Sequence, residues 1–155
     1  NLTYSGMRTL DILRLEKKFL HWGHDITSEN NPFEAGLSFA INFQKKENFI
    51  GRNHLEKIKG KPLENKLDLY SLKNNFKPGR PLLLHDEPIF KDENIVGYTT
   101  SSNFSFCYNK NICLAYVESN TNFDGDLFIE VEGKKYGIKL EKNPLHDPSS
   151  DLMRG

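Results

Sequence analysis

The sequence has few cysteines and no zinc-binding pattern. Only two of its 155 residues are cysteine, Cys107 and Cys113. Their spacing, without a paired histidine motif nearby, matches no known arrangement of zinc ligands, and we expect no metal. A disulfide between them is one interpretation. The more common one is that both are small, buried, apolar residues on a pair of strands. This sparse use of cysteine favours a reducing, cytoplasmic location.

The sequence also lacks an excess of charge and a long apolar run. Lysine plus arginine and aspartate plus glutamate each number 21, so the formal net charge is zero. We therefore expect neither nucleic acid nor a membrane surface as a partner. No apolar segment approaches the ~20 residues of a membrane-spanning helix. The chain begins at Asn1 without a signal-like segment, and we expect that residue 1 is a cut inside a longer protein.

Aromatic residues are plentiful by comparison. They make up 12% of the chain and include eleven phenylalanines, which is too many for a disordered chain. A chain of this length buries ~68–70% of its unfolded surface without disulfides or metal. The length of the chain corresponds to one domain, or to two small pieces that share a core. The composition changes at Lys61-Pro62, where we place a boundary.

The segment before this boundary mixes helix and loop patterns. Apolar spacing predicts a helix over about 6–13 that runs into an extended segment. The polar, glycine-containing stretch 21–36 is typical of a loop. Alternation over 37–43 predicts a strand. A second helix is predicted from an N-cap at Asn53 to a stop at Gly60.

After the boundary the pattern is almost entirely that of short strands. Alternating apolar residues predict strands at 66–72 and 112–118 and hairpins within 88–101 and 126–141, the last around Gly133-Lys134. Several short strands with almost no helix indicate a small antiparallel barrel or sandwich. The predicted fold is therefore an α+β fragment followed by an all-β unit.

Four polar or aromatic positions are candidates for a site. His21 and His24 lie with Asp25 in one loop just after Glu16, which could bind a metal or perform acid–base catalysis, although a solvated loop is more common. Trp22 in that loop is either a lid over the core or a stacking platform for a flat ligand. We find no phosphate-binding loop and no nucleophile motif in the sequence.

Two charged residues have a functional and a structural interpretation each. Glu16 could accept two parallel N–H bonds from a ligand edge, or form an ion pair with Arg14 or Lys17. Arg52 before the second helix could hold a carboxylate, or cap local carbonyl groups.

Three motifs in order carry a family resemblance. LRLEKKFLHWGHDIT, NPFEAGLSFAI and FIGRNHLEKIKG together resemble the glycine cleavage T-protein (aminomethyltransferase) family. Within it they are most similar to the folate-binding C-terminal region of dimethylglycine and sarcosine dehydrogenases. EPIFKDENIVGYTTSS and EVEGKKYGIKL resemble strands of the family's C-terminal barrel. The resemblance covers essentially the whole chain.

The resemblance implies a fold and an activity. Residues 1–61 correspond to the end of a folate-binding α+β domain, and residues 62–155 to the aminomethyltransferase β-barrel domain. Such enzymes pass a one-carbon unit from an N-methylamine to tetrahydrofolate, which gives 5,10-methylenetetrahydrofolate. FAD belongs only to the missing N-terminal part of a dehydrogenase. The alternatives are a fragment of the T-protein itself and a non-catalytic folate-binding or interaction module.

The resemblance also implies roles for three side chains. Glu16 is the carboxylate for the pterin edge, Trp22 stands where the T-protein has a tyrosine that packs on a folate ring, and Arg52 is the candidate for the benzoyl-glutamate end. The family often has glycine where this chain has Lys18.

The family's catalytic aspartate lies outside this chain, so no catalytic residue is assigned and we expect the chain alone to be inactive. The expected partners are folate, the N-methylamine and the N-terminal catalytic half of the parent protein. A face over residues 1–40 that lacks this half could instead form a homodimer.

Overall fold

A closed six-stranded antiparallel barrel forms the centre of the molecule. The computed structural model describes residues 3–155. Its strands are β1 (Asn65–Leu72), β2 (Pro88–Lys91), β3 (Asn94–Ser105), β4 (Lys110–Glu118), β5 (Leu127–Val131) and β6 (Lys134–Glu141). They close in the order β1-β4-β3-β2-β5-β6. The prediction of a small antiparallel barrel is confirmed, and closure leaves none of these strands with an unpaired edge.

Alternate residues of the strands fill the barrel. The interior contains Tyr70, Leu72, Leu83, Ile89, Val96, Cys113, Ala115, Val117, Leu127, Ile129, Val131 and Ile138. The β5–β6 hairpin turns at Glu132 and Gly133, with φ of 50° and 72°, as a type I′ turn requires. The turn lies one residue earlier than the Gly133-Lys134 turn that the sequence predicts.

The helices lie outside the barrel. They are α1 (Met7–Glu16), α2 (Arg52–Ile58) and α3 (Asp151–Arg154), with a 3₁₀ turn at Ser38–Ala40. The extended segment predicted after residue 13 is wrong, because α1 continues to Glu16. The last turn of α1 buries the Leu15 side chain fully. This burial stabilises the helix more than the alternating local pattern favours a strand.

Two further local predictions are wrong. Residues 37–43 contain the 3₁₀ turn and no strand, since the closed barrel offers no free edge and Phe39 is exposed. Asn53 lies inside α2 rather than at its N-cap. Gly51 occupies that position with φ of 89°, a left-handed conformation that glycine adopts without steric cost.

The N-terminal segment shares a core with the outer face of the barrel. Leu15 of α1 packs with Leu67, Leu69, Ile112, Leu114 and Tyr116 of β1 and β4. The Leu67 N–H also donates to the Glu34 carbonyl at 2.9 Å. The domain boundary at residues 61–62 stays a prediction, since these contacts cross it.

The two cysteines are free and differ in burial. Cys113 lies in the barrel interior, where burial raises the pKa of its thiol to about 12. Cys107 is exposed in the β3–β4 turn. The expectation that both are buried on strands is therefore wrong for Cys107, because β3 ends two residues before it.

The first helix exposes an apolar face. Met7, Leu10 and Leu13 recur at helical spacing and are each more than half exposed. Such a row is normally buried against another element. Among residues 3–155, no helix is both long and apolar enough to span a membrane.

Candidate functional site

Glu16 is a buried carboxylate at the end of α1. It is only 2% exposed. Its Oε1 atom accepts a hydrogen bond of 2.5 Å from the Ser105 hydroxyl at the end of β3. Its backbone carbonyl accepts from the His146 N–H at 3.0 Å. The residue is thus fixed between the first helix, the barrel and the C-terminal tail.

No salt bridge neutralises this carboxylate within residues 3–155. Arg14 donates to Asp25 at 2.7 Å, and Lys17 pairs with Asp147 at 3.2 Å. The structural interpretation of Glu16 as an ion-pair partner of these two residues is therefore wrong. Burying a carboxylate without a cation costs free energy. Such a group is a candidate ligand contact.

The β3 strand has a bulge, after which the hydroxyl groups of Ser101 and Ser105 contact α1. Thr99 pairs with Ala115 of the barrel interior, whereas Ser101 pairs with Leu114 of the outer cluster, and the register shifts between Thr99 and Ser101. A bulge re-aims the side chains that follow it. By alternate spacing, Ser105 shares the outer face with Ser101. The hydroxyl groups of residues 99–102 all take part in hydrogen bonds.

The loop predicted as a possible metal or acid–base site instead has a structural carboxylate. Asp25 is 1% exposed and accepts from Arg14 Nη1 at 2.7 Å, the His21 N–H at 2.8 Å and Thr100 Oγ1 at 2.6 Å. Arg14 also donates to Ser101 at 2.7 Å. This network joins α1, the loop and β3. Within the described residues, no group of three or more potential ligands could hold a metal.

A cleft of about 540 Å³ adjoins the end of α1. Its walls are mostly apolar and consist of Lys17, Lys18, Phe19, Leu20, Ile26, Ala35, Gly36, Leu37, Phe39, Pro144, Pro148 and Ser150. Its volume lies in the range of ligand pockets. Glu16 directly precedes the first of these residues but does not itself line the cleft.

Lys18 adopts an unusual backbone conformation in this wall. Its φ is 55°, in the left-handed region that favours glycine, the residue that the resemblance implies at this position. A non-glycine residue pays about 1–3 kcal/mol to remain there. The Lys18 ammonium donates to Asp68 of β1 at 2.8 Å, and this contact holds the strained residue in place.

Trp22 and Arg52 lie apart from the lining of this cleft. The Trp22 side chain is 67% exposed. Arg52 uses all three guanidinium nitrogens locally: it donates to the Lys45 and Phe43 carbonyls at 2.9 and 2.8 Å and to Glu56 at 2.9 Å. This arrangement matches the carbonyl-capping interpretation of Arg52.

Sequence reasoning missed Ser105 as part of this region, and it missed that Arg14 pairs with Asp25 rather than with Glu16. Ser105 is 89 residues from Glu16 in the chain, so no local spacing connects the two. Cys107 is a further neighbour, since the Glu16 carboxylate is the main cause that raises the pKa of its thiol.

Two family models match the chain. The model described as the glycine cleavage T-protein C-terminal barrel domain matches residues 69–147, and the GCVT N-terminal domain matches residues 1–45. The first match alone covers half of the chain and includes five of the six barrel strands entirely.

Individual proteins give the same picture. The chain is 32% identical to an aminomethyltransferase of Synechococcus elongatus, over 91% of this chain and 37% of that protein. It is 32% identical to human mitochondrial dimethylglycine dehydrogenase, over 90% of this chain and 16% of that protein. A solved structure of glycine cleavage system aminomethyltransferase T from Bartonella henselae shares the fold, with a TM-score of 0.77 and 24% identity over 89% of this chain and 38% of that one. The chain thus spans well under half of these proteins.

Proposed function

Because the chain belongs to the glycine cleavage T-protein family, we propose that it forms one wall of the tetrahydrofolate site of a larger aminomethyltransferase-type enzyme. Residues 1–61 are the end of the folate-binding domain and residues 62–155 are the barrel domain. The parent enzyme is a dimethylglycine or sarcosine dehydrogenase. It passes a one-carbon unit from an N-methylamine to tetrahydrofolate and yields 5,10-methylenetetrahydrofolate.

The environment of Glu16 is the observation that supports this proposal. Its carboxylate is buried and has no cationic partner among the described residues. The edge of a pterin offers adjacent N–H groups that pair with the two oxygens of a carboxylate. These charge-assisted hydrogen bonds would compensate the buried negative charge. In an ordinary structural carboxylate, a lysine or an arginine provides this compensation.

The chain's own residues bind and orient the ligand. Tetrahydrofolate, when bound, supplies the atoms that accept the one-carbon unit. Glu16 holds the pterin edge, and the apolar walls of the adjoining cleft exclude water from the rings. The catalytic residue belongs to the missing N-terminal half, and so does the FAD of the dehydrogenase branch. The chain alone is therefore inactive in this proposal.

Trp22 and Arg52 contribute at the outer part of the ligand. The exposed Trp22 ring is free to stack on a folate ring. Arg52 reaches the benzoyl-glutamate carboxylate only if it exchanges its bonds to the Lys45 and Phe43 carbonyls for the ligand. We accordingly expect a smaller contribution from Arg52 than from Glu16.

The exposed apolar row of α1 supports a protein partner. Met7, Leu10 and Leu13 form the face that we assign to the N-terminal catalytic half of the parent. The family relatives are much longer than this chain, which agrees with such a half. Self-association of two chains through this face is the alternative. The free thiols agree with a cytoplasmic, reducing location.

A fragment of the T-protein itself is the second candidate. The chain is 32% identical both to the aminomethyltransferase and to the dimethylglycine dehydrogenase named above. This equal identity is the observation that keeps the T-protein as a candidate. Amine-dependent formation of 5,10-methylenetetrahydrofolate by the parent protein would favour the dehydrogenase. Tight folate binding without turnover by the parent would favour a non-catalytic module.

The direct test is a titration of the full chain with tetrahydrofolate, followed by Trp22 fluorescence. Saturable quenching is expected in the unchanged chain. Glu16→Ala is expected to weaken binding about 10- to 150-fold, since a hydrogen bond to a charged group contributes about 1.5–3 kcal/mol.

Glu118→Ala is the matched control. Glu118 is an exposed carboxylate at the end of β4 and should leave the affinity unchanged. Equal affinities of the Glu16→Ala and Glu118→Ala chains for tetrahydrofolate would remove Glu16 from the binding site.

A further inference from the structure

We infer that Ser105 is a positioning residue that orients the Glu16 carboxylate toward the pterin. The inference rests on the proposed folate site and adds a residue of the barrel to it. Ser105 lies at the end of β3, whereas Glu16 ends α1. The two residues meet although 89 positions separate them in the chain.

The hydrogen bonds of Ser105 determine the direction of its hydroxyl. Ser105 is fully buried, and its oxygen accepts the Tyr108 N–H at 3.2 Å. The hydroxyl therefore donates its hydrogen to Glu16 Oε1, with 2.5 Å between the two oxygen atoms. The Cys107 thiol also hydrogen-bonds the Glu16 carboxylate, and no further N–H or O–H side chain or amide among residues 3–155 donates to it. An ionised carboxylate has about four acceptor sites, so both oxygens keep capacity for a ligand after the Ser105 and Cys107 contacts.

The surrounding structure makes this contact rigid. The bulge between Thr99 and Ser101 brings the hydroxyl side of β3 toward α1. Leu15, the neighbour of Glu16, is fully buried against β1 and β4. A carboxylate that is fixed before binding loses little freedom when the ligand arrives, which is the usual benefit of such supporting contacts.

The first measurement uses the free chain, with the Cys107 thiol as a reporter of the carboxylate. Glu16 is the main cause that raises the pKa of Cys107, and Cys107 is exposed to reagent while Cys113 is buried. The pH dependence of Cys107 alkylation should shift in Ser105→Ala and return in Ser105→Thr, which retains a hydroxyl. In the Glu16→Ala background Ser105→Ala should cause no shift, because the Tyr108 contact that it also removes does not involve the carboxylate. Ser102→Ala is the control, because Ser102 bonds the Leu84 carbonyl instead.

The second measurement is a double-mutant cycle of tetrahydrofolate affinity. Ser105→Ala should weaken binding about two- to tenfold in the unchanged background. It should have no further effect in the Glu16→Ala background, because Ser105 acts through that carboxylate. A general structural role would instead reduce affinity equally in both backgrounds.

The outcomes separate this inference from the proposed function. If the Cys107 profile of Ser105→Ala equals that of the unchanged chain, Ser105 does not position Glu16 and the inference is overturned. A shifted profile with Ser105→Thr rescue supports it, even in a preparation of the chain that binds no folate. If Glu16→Ala leaves folate affinity unchanged while the Cys107 profile shifts, the proposed folate contact fails and the Ser105–Glu16 contact remains.

Discussion

Replacing Asp25 with alanine is expected to lower the free energy of unfolding by about 3–5 kcal/mol. The Asp25 side chain is fully buried and accepts hydrogen bonds from Arg14, the His21 amide and Thr100. Its removal leaves the largely buried Arg14 guanidinium without its main partner, and it disconnects the loop from both α1 and β3. Urea denaturation followed by circular dichroism measures the loss.

Asp86→Ala is the matched control for this prediction. Asp86 is three-quarters exposed and its side chain pairs with the exposed His85 beside it. Its φ of 60° disfavours alanine, so its replacement should cost at most about 1–2 kcal/mol, less than the loss expected for Asp25. If Asp25→Ala unfolds at the same urea concentration as Asp86→Ala, the Arg14–Asp25 network is not a stabilising element.

Leu15→Ala is the second substitution with a large expected effect, about 3–5 kcal/mol of unfolding free energy. Leu15 is fully buried and connects α1 to the outer face of β1 and β4. Truncation removes buried apolar surface and leaves a cavity that the rigid barrel does not fill. Calorimetry and urea denaturation should both show the loss.

Leu10→Ala on the same helix provides the comparison. Leu10 is 57% exposed, so its truncation should alter the stability of the isolated chain only slightly. Equal destabilisation by the two leucine substitutions would mean that α1 packs on the barrel through a different face.

The barrel could be predicted because the sequence features that specify its strands and turns are local. Alternating apolar residues and short polar turns specify strands and hairpins, and several hairpins close only in a few ways. Two failed predictions, the extended segment after residue 13 and the strand over 37–43, concern segments whose state depends on distant contacts, whereas the N-cap of α2 and the β5–β6 turn were misplaced by two residues and one residue. Residues 37–43 alternate like a strand, yet the closed barrel has no edge to pair with them.

The site was predictable only in part. The motif around Glu16 identifies the residue through family resemblance, and the structure adds that it is buried. The partners were not visible in the sequence. Arg14 meets Asp25 across a loop, and Ser105 reaches Glu16 only because β3 has a bulge. No periodicity in the sequence marks a single-residue bulge of this kind.

The central claim is that Glu16 contacts the pterin ring rather than another part of the folate. It is tested most directly by titrating the unchanged chain and Glu16→Ala with two halves of the ligand, a reduced pterin without its tail and p-aminobenzoyl-glutamate. The account predicts that Glu16→Ala weakens binding of the reduced pterin and leaves binding of p-aminobenzoyl-glutamate unchanged. Loss of affinity for p-aminobenzoyl-glutamate alone, or for neither half, would contradict it.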